Sequence, residues 1–208
     1  MLDLATRRFF AFSSIALRYP ELDWLKSFPK IESQFKFFEE TEENIIRELL
    51  SYFNSKSLLE LQTDYVSVFD RKRRACLYLS YYLNGDTRKR GMALVHFKEV
   101  YATEGWSSTG EELDDFLPIL LEFIAVTDSP LGLNILQEHR AGIKLLEIAL
   151  RDMKSPYQRL VEAIFNKIPG KETQLTLKLI QEGPPIETVG LAPYGENRSD
   201  KKNVGMTC

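Results

Sequence analysis

Helix boundary signals recur along the whole chain, and they constrain its fold more than any other feature of the sequence. Ser57 and Glu60 have the spacing of a capping box, and residues 129–130 and 155–156 are both Ser-Pro. The side chains of a capping box accept hydrogen bonds from free backbone N–H groups at a helix start. A proline at the first helical position lacks an N–H group, so one fewer needs a partner. Asn84 followed by glycine is a typical helix end. The pattern therefore predicts one helix after another and an all-α fold.

Apolar residues at helical spacing fill the intervals between these signals. The predicted helices cover about residues 2–19, 22–28, 41–53, 58–69, 76–83, 86–104, 118–126, 130–153, 156–168 and 171–182. Leucines alternate as in a strand at the start of the last segment, but no partner strand is evident, so we favour a helix. We expect a single helical domain at 1–182 and a flexible tail rich in proline and glycine at 183–208.

Composition places the chain among ordinary globular proteins. Hydrophobic residues make up 44% of the 208 positions and aromatic residues 12%, enough for a large core. The two cysteines form no C-x-x-C pair, which indicates a reducing cytoplasm. Apolar runs are too short to span a bilayer, so we expect no direct membrane insertion.

The N-terminus allows two interpretations. Arg7 and Arg8 precede an apolar run, as in a twin-arginine export signal. However, the run stops at Arg18, no small-residue cleavage site follows, and Phe9 and Phe12 lie at helical spacing. An amphipathic first helix is therefore the favoured interpretation.

Sequence signatures of catalysis are missing. The chain contains no glycine-rich phosphate loop, no H-E-x-x-H pattern and no G-x-S-x-G elbow. His96 and His139 each lie within a predicted helix without metal-ligand spacing. The carboxylates of Asp114, Asp115 and Glu122 leave general acid–base chemistry as a minor alternative. We therefore expect neither catalytic nor metal-ligating residues, and a protein that is not an enzyme.

Two basic clusters, residues 71–74 and 88–90, hold seven of the 27 basic residues in a chain of net charge -3. They bracket Tyr78, Tyr81 and Tyr82, so a helical nucleic-acid-binding module is one alternative. The remainder of the chain is acidic, however, which is a poor background for a polyanion. Solvated helix ends with interhelical ion pairs would also account for the clusters, as would a localised anion site.

An acidic segment follows. Residues 104–122 contain six acidic residues and no basic one, and they surround the apolar stretch FLPILLEF. An acidic rim beside an apolar groove suits a basic amphipathic peptide that binds as a helix. The alternative is a solvated helix start, where acidic residues favour the positive end of the dipole.

Several stretches resemble one family. YVSVFD at 65–70, YYLNGDTRKRGMALVHFKEVY at 81–101, ELDDFLPILLEF at 112–123 and GPPIETVGLAPYG at 183–195 are similar to the motifs of the respiratory nitrate reductase delta chain, the NarJ-type assembly chaperones. The motifs keep the family's order and spread over most of the chain. The G-D-[ST]-R-x-R-G block is the most specific of them.

This resemblance implies an all-helical member of the TorD-like chaperone group. Such proteins are cytoplasmic, bind the apo catalytic (alpha) subunit of a membrane-bound nitrate reductase or related molybdoenzyme at its N-terminal peptide, promote molybdenum-cofactor insertion and delay membrane attachment. They hold no permanent cofactor, although transient contact with the molybdenum cofactor fits client loading. No nucleic-acid partner is expected. The residues assigned to peptide binding are Tyr65, Phe69, Asp115, Phe116, Pro118 and Glu122.

The remaining motif residues are expected to form a charged junction. Its members are Asp70, Asp86, Arg88, Arg90 and Gly91, with the glycine allowing another helix to approach. The sequence leaves open whether this junction supports the fold or touches the partner. Relatives often have histidine or tyrosine where this chain has Phe116, and proline where it has Asp114.

Overall fold

The described part of the chain is built from α-helices joined by short turns. The computed structural model describes residues 2–33, 35–170 and 174–183. A π-helical turn follows α4 at Val66–Asp70, and one isolated backbone bridge pairs Tyr78 with Phe116. The helices are α1 (Leu4–Ala16), α2 (Leu22–Glu32), α3 (Glu40–Asn54), α4 (Leu58–Tyr65), α5 (Leu79–Asn84), α6 (Arg88–Thr103), α7 (Leu117–Thr127), α8 (Pro130–Glu138), α9 (Arg140–Asp152), α10 (Gln158–Lys167) and α11 (Gln174–Glu182). The all-α prediction is confirmed.

Helix α7 is the centre of the core. Its sequence is apolar on almost every side, and α1, whose Phe9 and Phe10 are fully buried, packs along it. The guanidinium of Arg7 donates to the Ala125 carbonyl at 2.8 Å, at the negative end of α7. The predicted amphipathic first helix is thus confirmed, and Arg7 ties it to its neighbour.

Two glycines allow helices to approach closely. A Cβ on Gly132 would lie 2.5 Å from the Ile124 side chain, and one on Gly142 would lie 2.8 Å from that of Tyr82. The expected close approach at Gly91 is wrong, because that residue is exposed and a Cβ there would meet no described atom within 4 Å.

Several predicted boundaries need correction. The long helix expected at 130–153 is two helices, α8 and α9, which meet at His139. Cys76 precedes α5 because the chain there is extended, with Leu117 N–H donating to the Leu77 carbonyl at 2.8 Å. Helix α6 begins at Arg88 rather than near residue 86, and Thr87 caps it, since its side chain accepts from the Lys89 N–H.

Three other helix boundaries differ from the predictions. Helix α2 continues past its predicted end at residue 28, through Pro29 to Glu32. Proline lacks a backbone N–H, which removes only one hydrogen bond of the helix. Helix α3 begins at Glu40 with a capping box between Glu39 and Glu42, and α10 begins at Gln158 after a turn.

Other predicted helix signals are confirmed. Ser57 and Glu60 form the expected capping box, Ser129 caps α8, and the ambiguous last segment is helical as α11. The tail predicted at 183–208 lies outside the described residues except for Gly183. Among the described helices, none has the length and apolar character needed to cross a membrane.

Candidate functional site

An acidic groove of about 510 Å³ opens between the end of α1, the turn after α4, the loop before α7 and α7 itself. Its aromatic side chains are densely packed. The Tyr65 and Phe69 ring centroids lie 4.8 Å apart, and those of Tyr19 and Tyr65 lie 5.5 Å apart. We call this cavity the acidic groove; its aromatic lining residues are Tyr19, Trp24, Tyr65, Phe69, Tyr78, Trp106 and Phe116.

The groove wall is held by hydrogen bonds to the main chain and by ring contacts. The Tyr65 hydroxyl donates to the Leu17 carbonyl at 3.0 Å, which fixes the end of α1 against α4. The Trp106 ring packs 4.9 Å from that of Tyr101, and the Tyr101 hydroxyl donates to the Asp114 carbonyl at 2.8 Å. The loop before α7 is therefore fixed at both ends.

The charge of the groove is strongly negative. Among the described lining residues there is one cation, Arg18. The carboxylates are those of Glu21, Asp70, Glu111, Glu112 and Glu122. A groove with this excess of carboxylates favours a cationic ligand.

Two polar contacts shape this charge. Arg18 Nη2 lies 2.5 Å from Glu122 Oε2, across the groove. The Tyr78 hydroxyl donates to Glu112 Oε2 at 2.7 Å, and burial together with this bond raises the pKa of Tyr78. Burial, and then the nearby charge of Glu112, raises the pKa of Asp70 above its ordinary value of 3.8.

Asp115 lies outside the groove in a buried junction. It is 0% exposed, and its Oδ2 accepts from the Ser80 N–H at 3.1 Å and the Ser80 hydroxyl at 2.5 Å. Arg90 Nη2 approaches the same oxygen at 3.8 Å, and Arg90 Nη1 lies 3.6 Å from Asp86 Oδ1. We call Ser80, Arg90 and Asp115 the buried junction; Asp86, whose side chain is 59% exposed, lies at its edge.

The structure thus separates the residues assigned to peptide binding. The side chains of Tyr65, Phe69, Phe116 and Glu122 line the acidic groove. Asp115 and Pro118 are buried and do not line it. Phe116 lies in the groove floor, where its ring centroid is 5.3 Å from that of Tyr78.

The expected charged junction is smaller than the sequence indicated. Arg90 and Asp86 contact each other and, through Arg90, reach Asp115. Asp70 lies on the groove side and forms no ion pair with any described residue. Arg88 is exposed and forms none in the described ranges either.

Sequence reasoning misses several groove residues. Arg18 and Tyr19 are predicted only as the end of the first helix, because nothing local shows that the end of α1 faces the acidic segment. Tyr78 is predicted only as part of an aromatic core. Its place in the groove follows from the pairing of Tyr78 with Phe116, which no local pattern in the sequence predicts.

The described ranges contain no group of three or more histidine, cysteine or acidic side chains arranged to hold a metal ion. Cys76 lines a neighbouring cavity, and burial raises the pKa of its thiol to about 11. The thiol is therefore protonated at neutral pH and is a weak nucleophile.

Comparison with known proteins identifies relatives over much of the chain. Residues 38–161 match the family model of the nitrate reductase delta subunit. The nitrate reductase-like protein NarX of Mycobacterium tuberculosis is 39% identical over 106 residues, which is 51% of this chain but 16% of NarX. The chain therefore aligns with only a small part of that relative.

Two chaperones are also similar. A probable nitrate reductase molybdenum cofactor assembly chaperone of Bacillus subtilis, NarJ, is 29% identical over 165 residues, covering 76% of this chain and 88% of that protein. Escherichia coli NarJ, a nitrate reductase molybdenum cofactor assembly chaperone, is 30% identical over 106 residues, covering 51% and 45%. The family model covers more than half of the residues of this chain, so the chain belongs to the nitrate reductase delta subunit family.

Proposed function

We propose that the protein is a chaperone that binds the apo catalytic subunit of a nitrate reductase or related molybdoenzyme. The N-terminal peptide of that subunit occupies the acidic groove. Binding keeps the client ready for molybdenum-cofactor insertion and delays its attachment to the membrane. The chaperone acts in the cytoplasm. The names of the NarJ relatives support the class of client.

The observation that carries this proposal is the pairing of an aromatic floor with an acidic rim. The partly exposed rings of Tyr19, Tyr78 and Trp106 offer apolar surface, and Glu112 and Glu122 supply carboxylates in the same groove. An amphipathic helix with arginine or lysine on one face matches both features at once. Nucleic acid does not match them, because phosphates would meet carboxylates.

No chemical step is required of the chaperone. A protein that binds the apo form of its client stabilises that form by mass action until the cofactor is loaded. When cofactor loading completes the client's fold and sequesters the peptide, the groove loses its ligand and the chaperone dissociates. The cofactor is the client's, so contact between it and this chain is transient.

The test is affinity purification of the tagged protein from its native host, grown anaerobically with nitrate, followed by mass spectrometry. We expect recovery of a large molybdoenzyme subunit without its cofactor. A variant with Glu112→Gln and Glu122→Gln removes two groove charges, so it should retain much less of that subunit. The matched control is Glu40→Gln with Glu99→Gln, two exposed carboxylates outside the groove.

Equal recovery by the groove variant and the wild type would disprove binding in the groove. Recovery of nuclease-sensitive nucleic acid, without a molybdoenzyme subunit, would disprove the chaperone proposal itself. Asp115 is unsuitable for this test, because its burial means that its loss would alter the fold.

A further inference from the structure

The two basic clusters, separated in sequence by α5, meet at Asp86. Arg73 Nη1 lies 3.6 Å from one oxygen of that carboxylate, and Arg90 Nη1 lies 3.6 Å from the other. The Tyr82 hydroxyl lies 3.1 Å from the Arg74 carbonyl, which fixes the first cluster against α5. We call the combined surface the basic patch; it consists of Arg71, Lys72, Arg73, Arg74, Arg88, Lys89 and Arg90.

Much of the charge of this patch is not neutralised. Arg71, Lys72, Arg88 and Lys89 are exposed, and none of them forms an ion pair with a described residue. The interhelical ion pairs suggested by the sequence therefore account for only part of the patch. The other part is an excess of positive charge on a protein whose net charge is -3.

Two residues of the second cluster lie where a cation is unfavourable for the fold. Arg88 and Lys89 are exposed in the first turn of α6, and that turn contains no acidic residue, whereas Arg90 pairs with Asp86 and Asp115. The N-terminal end of a helix carries partial positive charge, so cations there destabilise the helix. An arrangement that opposes helix stability and remains exposed indicates a role in binding an anionic partner.

The basic patch adjoins the acidic groove. A second cavity of about 290 Å³ is lined by Arg73 and Arg90 on the patch side. Phe69, Asp70 and Tyr78 line both this cavity and the groove. A polypeptide that leaves the groove over this shared wall therefore reaches Arg73 and Arg90, at the edge of the basic patch.

We infer that the basic patch binds an acidic segment of the same client chain whose basic peptide occupies the groove. This inference rests on the proposed function. Acidic side chains are the peptide chemistry complementary to unpaired arginine and lysine. Two weak contacts on one chain reinforce each other, because the first raises the effective concentration of the second. The opposite charges of the two sites also fix the direction in which the client chain lies.

The test uses the full-length protein and two synthetic fluorescent peptides, with binding followed by anisotropy. The first is a basic amphipathic helix former, and the second is the same peptide extended through a flexible linker by a block of glutamates. We expect the extension to tighten binding about fivefold at low salt, and the gain to vanish at high salt.

Matched variants locate the effect. Lys72→Gln, Arg88→Gln and Lys89→Gln together should abolish the gain while leaving affinity for the unextended peptide unchanged. The control, Lys26→Gln with Lys30→Gln and Lys178→Gln, removes three exposed cations elsewhere and should keep the gain. All these side chains are exposed, so both variants are expected to fold.

The inference is overturned if the extension gives no gain on the wild type, or if the gain survives in the patch variant. Failure of the unextended peptide to bind would instead disprove groove binding. In that case the extended peptide decides the inference. If it binds the wild type and this binding is lost in the patch variant, the inference is supported. If it does not bind the wild type, the inference is overturned. If a single-stranded oligonucleotide of the same charge bound the patch more tightly than the glutamate-extended peptide, the ligand of the patch would be nucleic acid and not an acidic segment.

Discussion

The acidic groove and the buried junction both use carboxylates of the acidic segment, but in opposite environments. In the junction, Asp115 is fully buried and bonded to Ser80. In the groove, the side chain of Glu122 is 45% exposed and meets a solvent-accessible arginine. A buried carboxylate that loses its place leaves unpaired partners behind, whereas an exposed one can change partner at little cost. The comparison favours a role in folding for the junction and supports the proposed ligand-binding role of the groove.

The largest expected difference between the two sites is in stability. We expect Asp115→Ala to lower the free energy of unfolding by about 3 kcal/mol, because Arg90 and Ser80 lose their buried acceptor. Glu122→Ala should change it by less than about 1 kcal/mol. Urea unfolding followed by circular dichroism measures both values. Equal losses would remove the distinction between junction and groove.

The second prediction concerns affinity. Glu112→Gln with Glu122→Gln should weaken binding of a basic amphipathic peptide about tenfold, since two carboxylates facing the ligand are lost. The unfolding free energy should stay close to that of the wild type. Fluorescence anisotropy and urea unfolding on the same preparations supply the two numbers. A loss of stability matching the loss of affinity would mean that the groove carboxylates also support the fold.

The third prediction reverses the sign of the effect. In the proposed complex Arg18 competes with a client cation, because its guanidinium lies against Glu122 inside the groove. Arg18→Gln should therefore tighten binding of the basic peptide about threefold by freeing that carboxylate. Lys26→Gln, an exposed change outside the groove, serves as the control in the same titration. Weaker binding by the Arg18 variant would show that the arginine contacts the ligand favourably.

The smallest expected effect is on pH dependence. Burial and Glu112 raise the pKa of Asp70, so this carboxylate takes up a proton at a higher pH than an ordinary aspartate. A cationic peptide binds the ionised form better, so affinity should be full at neutral pH and fall about twofold as pH drops through the raised pKa. Titrations across the acid range measure this step. It should be absent in Asp70→Asn, and an unchanged profile there would assign the step to another group.

Most local helix signals predicted the fold correctly, although the helix expected after Ser155 and Pro156 begins only at Gln158. The capping box at Ser57 and the proline after Ser129 act within one turn of helix, and both predictions are confirmed. The extended chain at Cys76 was missed because its backbone bonds go to residues about forty positions away. The break at His139 was also missed, since apolar periodicity continues across it.

The candidate site shows the same division between local and distant information. The acidic segment was visible in sequence, where it suited either a groove for a basic peptide or a solvated helix start. The sequence could not separate Asp115 from Glu122, because burial depends on which distant helix covers each residue. Nor could it show that two basic clusters converge at Asp86, since that contact depends on the packing of α5.

The backbone bridge between Tyr78 and Phe116 has a consequence for the thermodynamics of recognition. The Leu79 N–H donates to the Asp115 carbonyl at 3.0 Å, and the Leu117 N–H donates to the Leu77 carbonyl, so main-chain bonds hold the two sides of the floor together. A floor held in this way is preorganised, and the conformational entropy lost on association comes mainly from the incoming peptide. Peptides that already populate a helix in solution should therefore bind with a smaller entropic penalty than disordered peptides of the same charge.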